Sequence, residues 1–248
     1  RAIRTILNDA TRAPFILFGP PGTGKSATLV ETMLQLWTQS RQRGYKLLLC
    51  APSNSSVDAL VCSLLETIPA HEILRIYPAN RELSTIPDKL LETGCINKSP
   101  DGSVKYPSSK KISEPTIVAT TLVGTSKLVT SGFGKKGHFT HIFIDECGQA
   151  SEPEAIIPIS GLAQQHNHQN SRGAKIILSG DPHQLGPIVM SPLAARLGLN
   201  TSLLERLMTH PVYQPDLISK RYDNNLIVKL IRNYRSHPEI LWQSNKMF

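Results

Sequence analysis

Apolar residues in this chain fall into short continuous runs that alternate with stretches of helical spacing. Phe15 to Phe18 (FILF) and Lys46 to Ala51 (KLLLCA) are two such runs, of strand length and apolar almost throughout, as in strands covered on both faces. Between them Leu29, Val30, Met33, Leu34, Leu36 and Trp37 recur at helical spacing. They predict a helix from Ala27 to near Gly44 that packs one face on a sheet. Val57, Leu60, Val61, Leu64, Leu65 and Ile68 repeat the pattern behind Pro52-Ser53-Asn54, where Ser53 or Asn54 supplies an N-cap. Further strands are predicted at Ile73 to Ile76, Thr116 to Thr120, His141 to Ile144 and Lys175 to Ser179. Helices are predicted from about Glu152 to Leu162, with Pro153 in the first turn, and over Thr201 to Met208. Ile3, Ile6 and Leu7 form the apolar face of a helix at the start of the chain.

Two kinds of segment interrupt this alternation. From Pro78 to Pro115 there are prolines at 78, 87, 100, 107 and 115 and glycines at 94 and 102, with one short apolar patch at Leu90-Leu91. This reads as an inserted, irregular excursion. Ser131 to His138 is a glycine-rich basic loop and Gln164 to Gly173 a polar one; His166 and His168 in the latter have no third metal ligand nearby. Pro211 and Pro215 mark a linker, after which Leu226 to Asn233 reads as another strand, followed by Tyr234 to Pro238 and a helix from Glu239. The expected division is a first domain over 1–210 with its insertion at about 78–115, a linker at 211–225, and the truncated start of a second domain at 226–248. Strands alternating with helices imply an α/β fold with a doubly wound, mostly parallel sheet, which binds ligands at the C-terminal ends of its strands.

The formal charge of +8 points to an anionic partner, nucleic acid before membrane, because no basic amphipathic helix stands out. Between Arg81 and Lys136 nine Lys/Arg oppose five Asp/Glu, a local excess that a solvated surface and a nucleic-acid track explain equally well. The four cysteines show no C-x-x-C spacing, and two sit in apolar runs, as in a reduced intracellular protein. No apolar run approaches the ~20 residues of a membrane span, and the first residues lack a signal-peptide core.

The chemistry centres on Gly19-Pro20-Pro21-Gly22-Thr23-Gly24-Lys25-Ser26, a full match to the phosphate-binding pattern G-x-x-x-x-G-K-[ST], placed between a strand and a helix. Gly22 and Gly24 let backbone amides curl around an anion, and the helix adds its positive dipole end. Lys25 is placed to reach the β- and γ-phosphates and Ser26 to hold magnesium. A plain Gly/Pro turn would leave the Lys-Ser pair without a purpose. Asp145-Glu146, delivered at the end of an apolar strand, supplies the acids such a loop needs: Asp145 for magnesium, Glu146 to polarise the attacking water. Gln184, in GDPHQLGP after the next strand, is either a loop amide or the group that orients that water and senses the γ-phosphate.

GPPGTGKS, CAPSNSSVD (50–58), ATT (119–121), DECGQA (145–150), GDPHQLGP (180–187) and NYRSHP (233–238) occur in the order found in Upf-like superfamily 1 helicases. The chain resembles most their Armitage/Mov-ten branch, ATP-driven RNA helicases of silencing pathways. The resemblance implies a RecA-like fold, ATP and Mg2+ at the phosphate loop, and catalysis by Glu146 and Gln184. It also implies an arginine finger at Arg235, supplied by a second RecA-like domain across a cleft. Pro52, Ser53, Asn54, Thr120 and Thr121 match positions that grip the sugar-phosphate backbone of single-stranded RNA, a contact that carries no base information. The basic segment 78–138 is expected beside that strand. Protein partners in cytoplasmic ribonucleoprotein or perinuclear granules are implied by the resemblance alone. The glutamine that the family uses for adenine would precede Arg1, and the later motifs would follow Phe248, so this piece is expected to bind ATP and to unwind little. An RNA clamp without unwinding and a DNA helicase of the same superfamily are the alternatives.

Overall fold

The computed structural model describes residues 1–8, 11, 13–79, 81–135, 137–163 and 173–237. In chain order the elements are α1 (Ala2–Asn8), β1 (Phe15–Phe18), α2 (Lys25–Arg43), β2 (Leu47–Ala51), α3 (Asn54–Leu64), β3 (Ile73–Arg75), α4 (Asp88–Glu92) and α5 (Ser109–Ser113). They continue with β4 (Ile117–Thr121), α6 (Thr125–Thr130), β5 (His141–Ile144), α7 (Glu152–Leu162), β6 (Lys175–Gly180), α8 (Pro192–Arg196), α9 (Leu203–Thr209) and β7 (Ile227–Lys229). The seven strands form one sheet in the order β3-β4-β2-β5-β6-β1-β7, and every described pairing is parallel.

The continuous apolar runs are explained by burial on both faces. Along β1 and β2, Phe15, Leu17, Leu47 and Leu49 enter one core with Ile6 of α1, Leu29 and Met33 of α2, and Val57 and Val61 of α3. The alternate residues Ile16, Phe18, Leu48 and Cys50 enter a second core with Leu128 of α6, Ala155 and Leu162 of α7, and Leu204 of α9. Each fully buried Leu, Ile or Phe contributes about 1.5–3 kcal/mol. Ser53 is the N-cap of α3 and accepts a hydrogen bond from the Ser56 amide at 3.1 Å. A Ser151/Glu154 capping box starts α7, with Pro153 in its first turn. Among the described residues no helix is long and apolar enough to cross a membrane.

The segments after residue 210 and the excursion at 78–115 pack on this same sheet. The strand expected to open a second domain is the seventh strand of this same sheet, pairing Ile16 with Ile227 and Phe18 with Lys229. β1 would otherwise expose its outer backbone, and the segment satisfies it: Ile16 N–H donates to Leu226 O and Leu230 N–H to Phe18 O, both at 2.8 Å. The stretch expected as a linker is packed down as well, since Tyr213 is buried and its hydroxyl donates to Pro14 O at 2.7 Å. The excursion at 78–115 is in turn no loose loop. Ile86, Leu90, Cys95, Ile96 and Val104 join the first core, and Arg75 N–H donates to Cys95 O, covering the outer edge of β3. The helix expected from Glu239 and the His166/His168 pair lie outside the described residues.

Candidate active site

Parallel strands deliver their C-terminal ends to one edge, and the strand order decides which loops meet there. Along that edge Thr121 ends β4, Pro52–Asn54 follow β2, Asp145 follows β5, Asp181 follows β6, the phosphate loop follows β1 and Leu230 follows β7. The acids and the phosphate loop are thus on strands separated only by β6.

Within the loop Gly22 (φ 76°) and Gly24 (φ 87°) are left-handed, conformations that a side chain would strain. Gly22 is held open for a second reason: a Cβ there would lie 2.8 Å from the Arg235 Cβ and from the Asn233 amide nitrogen. Lys25 is 7% exposed at the start of α2, and its Nζ donates to Gly19 O at 2.8 Å and Pro20 O at 3.4 Å. Ser26 Oγ donates to Asp145 Oδ2 at 3.2 Å.

Asp145 is 2% exposed, and its Oδ1 is buried without a hydrogen-bond partner. Burial pushes its carboxyl above the usual range, opposed by Ser179, the Glu146 amide, Ser26 and Lys25. Ser179 is electrostatically close, yet its hydroxyl also lacks a partner in hydrogen-bond geometry. An orphaned carboxylate oxygen beside a serine hydroxyl and a phosphate cradle fits a hard divalent cation such as Mg2+, which takes oxygen ligands from one or two side chains and from the phosphates.

Glu146 sits at φ 51°, ψ 35°, a left-handed conformation of the kind that persists in a non-glycine residue where surrounding contacts hold it. Its carboxylate accepts from Gln149 Nε2 at 3.1 Å. Burial and then the neighbouring Asp145 and Asp181 raise its pKa, while Lys25 and Arg235 pull it down. The acidic turn packs backbone to backbone on the loop after β6, because Gly148 has no Cβ to strike Asp181 O, 2.8 Å away from where one would be. Asp181 accepts from Gln184 Nε2 at 2.9 Å and from the His183 amide at 3.0 Å. It therefore holds Gln184 beside the acids. Sequence reasoning missed Asp181; its signal was the position directly after β6.

Arg235 lies on the turn after β7, against the phosphate loop itself. Asn233 and Tyr234, also missed, fasten that turn: Asn233 Nδ2 donates to Pro21 O at 2.7 Å and the Tyr234 amide to Gly22 O at 2.8 Å. A cavity of about 620 Å³ opens beside the loop, lined by Thr23, Thr28, Tyr222, Lys229, Leu230 and Tyr234. The aromatic residue next to the arginine in NYRSHP was the available signal.

After β2, Ser53 caps α3 and contacts the Ser55 and Ser56 hydroxyls at 3.0 and 2.8 Å, and Asn54 is half-buried beside it with Pro52. Thr120 belongs to β4. It is 2% exposed beneath Gly124, whose Cβ would fall 2.4 Å from the Thr120 hydroxyl, so it packs the loop from inside. Thr121 is half-buried, and its hydroxyl accepts from the Gly124 amide at 3.2 Å. Several lysines of the basic excursion hold it together. Lys111 donates to Asn97 Oδ1, Lys98 to Leu91 O and Lys89 to Cys62 O, at 2.8, 2.9 and 2.8 Å. Lys136 lies outside the described residues.

A phosphate loop on β1 with acids on β5 and a polar sensor loop on β6, all at one edge of a parallel sheet, defines a nucleotide-binding P-loop protein of RecA-like fold. The AAA domain family matches residues 1–114 and 92–192, and the chain belongs to it, within the Upf-like superfamily 1 group that its motifs resemble. It is 42% identical over 253 residues to a helicase named MOV-10 of Gallus gallus, covering 100% of this chain and 25% of the relative. It is 39% identical over 255 residues to the RNA helicase Mov10l1 of Homo sapiens, covering 100% of this chain and 19% of that protein. A third relative, named "Probable RNA helicase armi", of Drosophila melanogaster, is 33% identical over 269 residues, with 100% and 22% covered. The chain thus spans a quarter or less of the length of these relatives.

Proposed function

We propose that this chain is the ATP-hydrolysing half of an RNA helicase motor, acting on single-stranded RNA in cytoplasmic ribonucleoprotein. The observation that carries the reading is the orphaned Asp145 Oδ1, joined through Oδ2 to Ser26 and placed across from Lys25 at the head of α2. Phosphate oxygens satisfy the Lys25 ammonium better than the loop's own carbonyls do. In the nucleotide complex Lys25 exchanges Gly19 O and Pro20 O for β- and γ-phosphate oxygens, and the Gly22–Lys25 amides take the rest. Ser26 and Asp145 would hold Mg2+, which would supply neutralising charge to the transferring phosphoryl group. Glu146, its pKa raised, accepts the proton of the attacking water, and Gln184 orients that water from its anchor on Asp181. Arg235 offers its guanidinium to the charge that develops. The exposed ring of Tyr234, at the mouth of the 620 Å³ cavity, offers a stacking face to the base.

Relatedness to proteins named RNA helicases supports RNA as the strand and helicase as the activity of the whole protein. The test is ATP turnover by the full-length protein with RNA and DNA of equal length, together with displacement of a paired strand. RNA-stimulated turnover with displacement is expected, and Lys25→Ala lowers that turnover at least about 100-fold. Nucleotide-dependent RNA affinity without displacement would establish a clamp instead, and equal stimulation by DNA would remove the RNA assignment.

A further inference from the structure

Arg75, the last residue of β3, is a guanidinium with 0% exposure. Its Nε donates to Asp58 Oδ1 at 2.7 Å and its Nη1 to Ile76 O at 2.7 Å, and its carbon lies 3.9 Å from the centre of the Tyr77 ring. Tyr77 donates its hydroxyl to the same Asp58 oxygen at 2.7 Å. Asp58 belongs to α3 and is 3% exposed, so both charges have left water. Desolvation largely cancels the attraction within such a pair, and apolar side chains of equal volume would hold the core at least as well.

What apolar side chains lack is the remaining nitrogen. Nη2 of Arg75 donates to Asn54 Oδ1 at 2.8 Å. A guanidinium has donors only, so the atom facing it must be the amide oxygen of Asn54. The orientation of that amide is therefore set by chemistry. Its NH2 group points the other way, from the first residue of α3, and has no hydrogen-bond partner among the described residues. Ser53 and Ser55, both exposed, place two hydroxyls beside it. This edge adjoins the nucleotide site, because β2, which leads into α3, pairs with β5, which leads into Asp145.

We infer that Arg75 is a positioning residue for strand binding. From inside the core it locks the Asn54 amide with its donors outward, where they bond a backbone phosphate oxygen of single-stranded RNA. This role rests on the reading of the chain as an RNA motor. Arg75 touches neither the strand nor ATP, and it also ties the excursion to the strand-binding edge, since its own N–H donates to Cys95 O.

Two substitutions in the full-length protein separate positioning from mere core stability. Arg75→Lys retains a charge for Asp58 but lacks the forked nitrogen that reaches Asn54. Asn54→Asp keeps, and charges, the oxygen that Arg75 holds, while turning an acceptor toward the phosphate. Both are expected to raise the RNA concentration for half-maximal ATP turnover by about 10-fold, as for a hydrogen bond to a charged group, with the maximal rate at saturating RNA within about twofold of wild type. Asn54→Asp does this with its melting temperature unchanged or raised, a combination that a purely structural role for Arg75 does not produce. Asn54→Asp binding RNA as tightly as wild type would overturn the role, whether or not Arg75→Lys folds. Failure of the wild type itself to bind RNA would overturn the functional reading and this role with it; the wild-type control tells the two failures apart.

Discussion

The side-chain amide of Asn233 donates to the carbonyl of Pro21 across 2.7 Å, joining the turn after the last strand to the phosphate loop after the first. The amide oxygen of the same residue accepts from the backbone N–H groups of Arg235 at 2.8 Å and Ser236 at 2.9 Å. One side chain thus shapes the turn that presents Arg235 and moors it to the loop that holds phosphate.

Asn233→Ala is accordingly expected to lower the rate of ATP hydrolysis about 10-fold while changing nucleotide affinity by less than about threefold, since the phosphate cradle keeps its own amides and Lys25. Asn233→Asp retains the acceptor for the Arg235 and Ser236 amides but loses the donor to Pro21, and should fall between. Fluorescent-nucleotide binding alongside single-turnover hydrolysis measures both quantities. An equal loss in the two would mean that the turn supports binding alone.

In the proposed mechanism Glu146 takes the proton of the attacking water, and among the described residues it makes no hydrogen bond to the phosphate loop, so Glu146→Gln should retain ATP binding and lose about 100-fold or more in hydrolysis. Wild-type turnover by this variant would remove Glu146 from its role.

Asp145 buries a carboxylate with one oxygen unsatisfied, a cost that the proposed cation would offset. Its folded pKa is raised above the unfolded value by burial, so the ionised form opposes folding at neutral pH and does so less as the pH falls. Asp145→Asn removes that charge at nearly constant shape. Without nucleotide the variant should melt a few degrees higher, about the shift of a 1 kcal/mol gain, while Mg2+-dependent hydrolysis disappears. A lower melting point would show that the carboxylate is better satisfied than its geometry indicates.

At the opposite end of β5, His141 is held neutral. Burial, assisted by the charge of Lys175, lowers its pKa to about 3 from 6.5. It packs edge-on against Tyr45, 5.0 Å between ring centres, with Nδ1 2.9 Å from the Thr140 hydroxyl. The unfolded chain takes up this proton below about pH 6.5 and the folded chain only near 3, so the contribution is present above the first value and lost on the way to the second. The slope attributable to it is at most about 1.4 kcal/mol per pH unit. His141→Gln should flatten the dependence of melting temperature on pH across that window; an unaltered slope would show that His141 does not cause it.

The legible features of this protein were those written in contiguous residues. GPPGTGKS, Asp145-Glu146 behind HIFI, the Ser53 cap and the Pro153 start of α7 each depend on a handful of neighbours, and the structure places them at the anticipated elements. The features that escaped depend on partners far along the chain. Leu226 to Asn233 reads as a strand by composition, but composition does not say which edge it will cover, and the open side of β1 decides that. Thr120 and Thr121 look alike in sequence; the pleat turns one inward under Gly124 and leaves the other half-buried.

What the sequence by itself determined was the kind of chemistry and the kind of fold, because both follow from short-range periodicity and from residue types at set spacing. Only the tertiary structure decided which groups share a site: that Asn233 grips Pro21, that Asp181 anchors Gln184, and that Arg75 reaches Asn54 from the core. The physical reason is that hydrogen bonds between loops form or fail over a few tenths of an ångström, and in a parallel sheet the order of strands, invisible along the chain, sets which loops come that close.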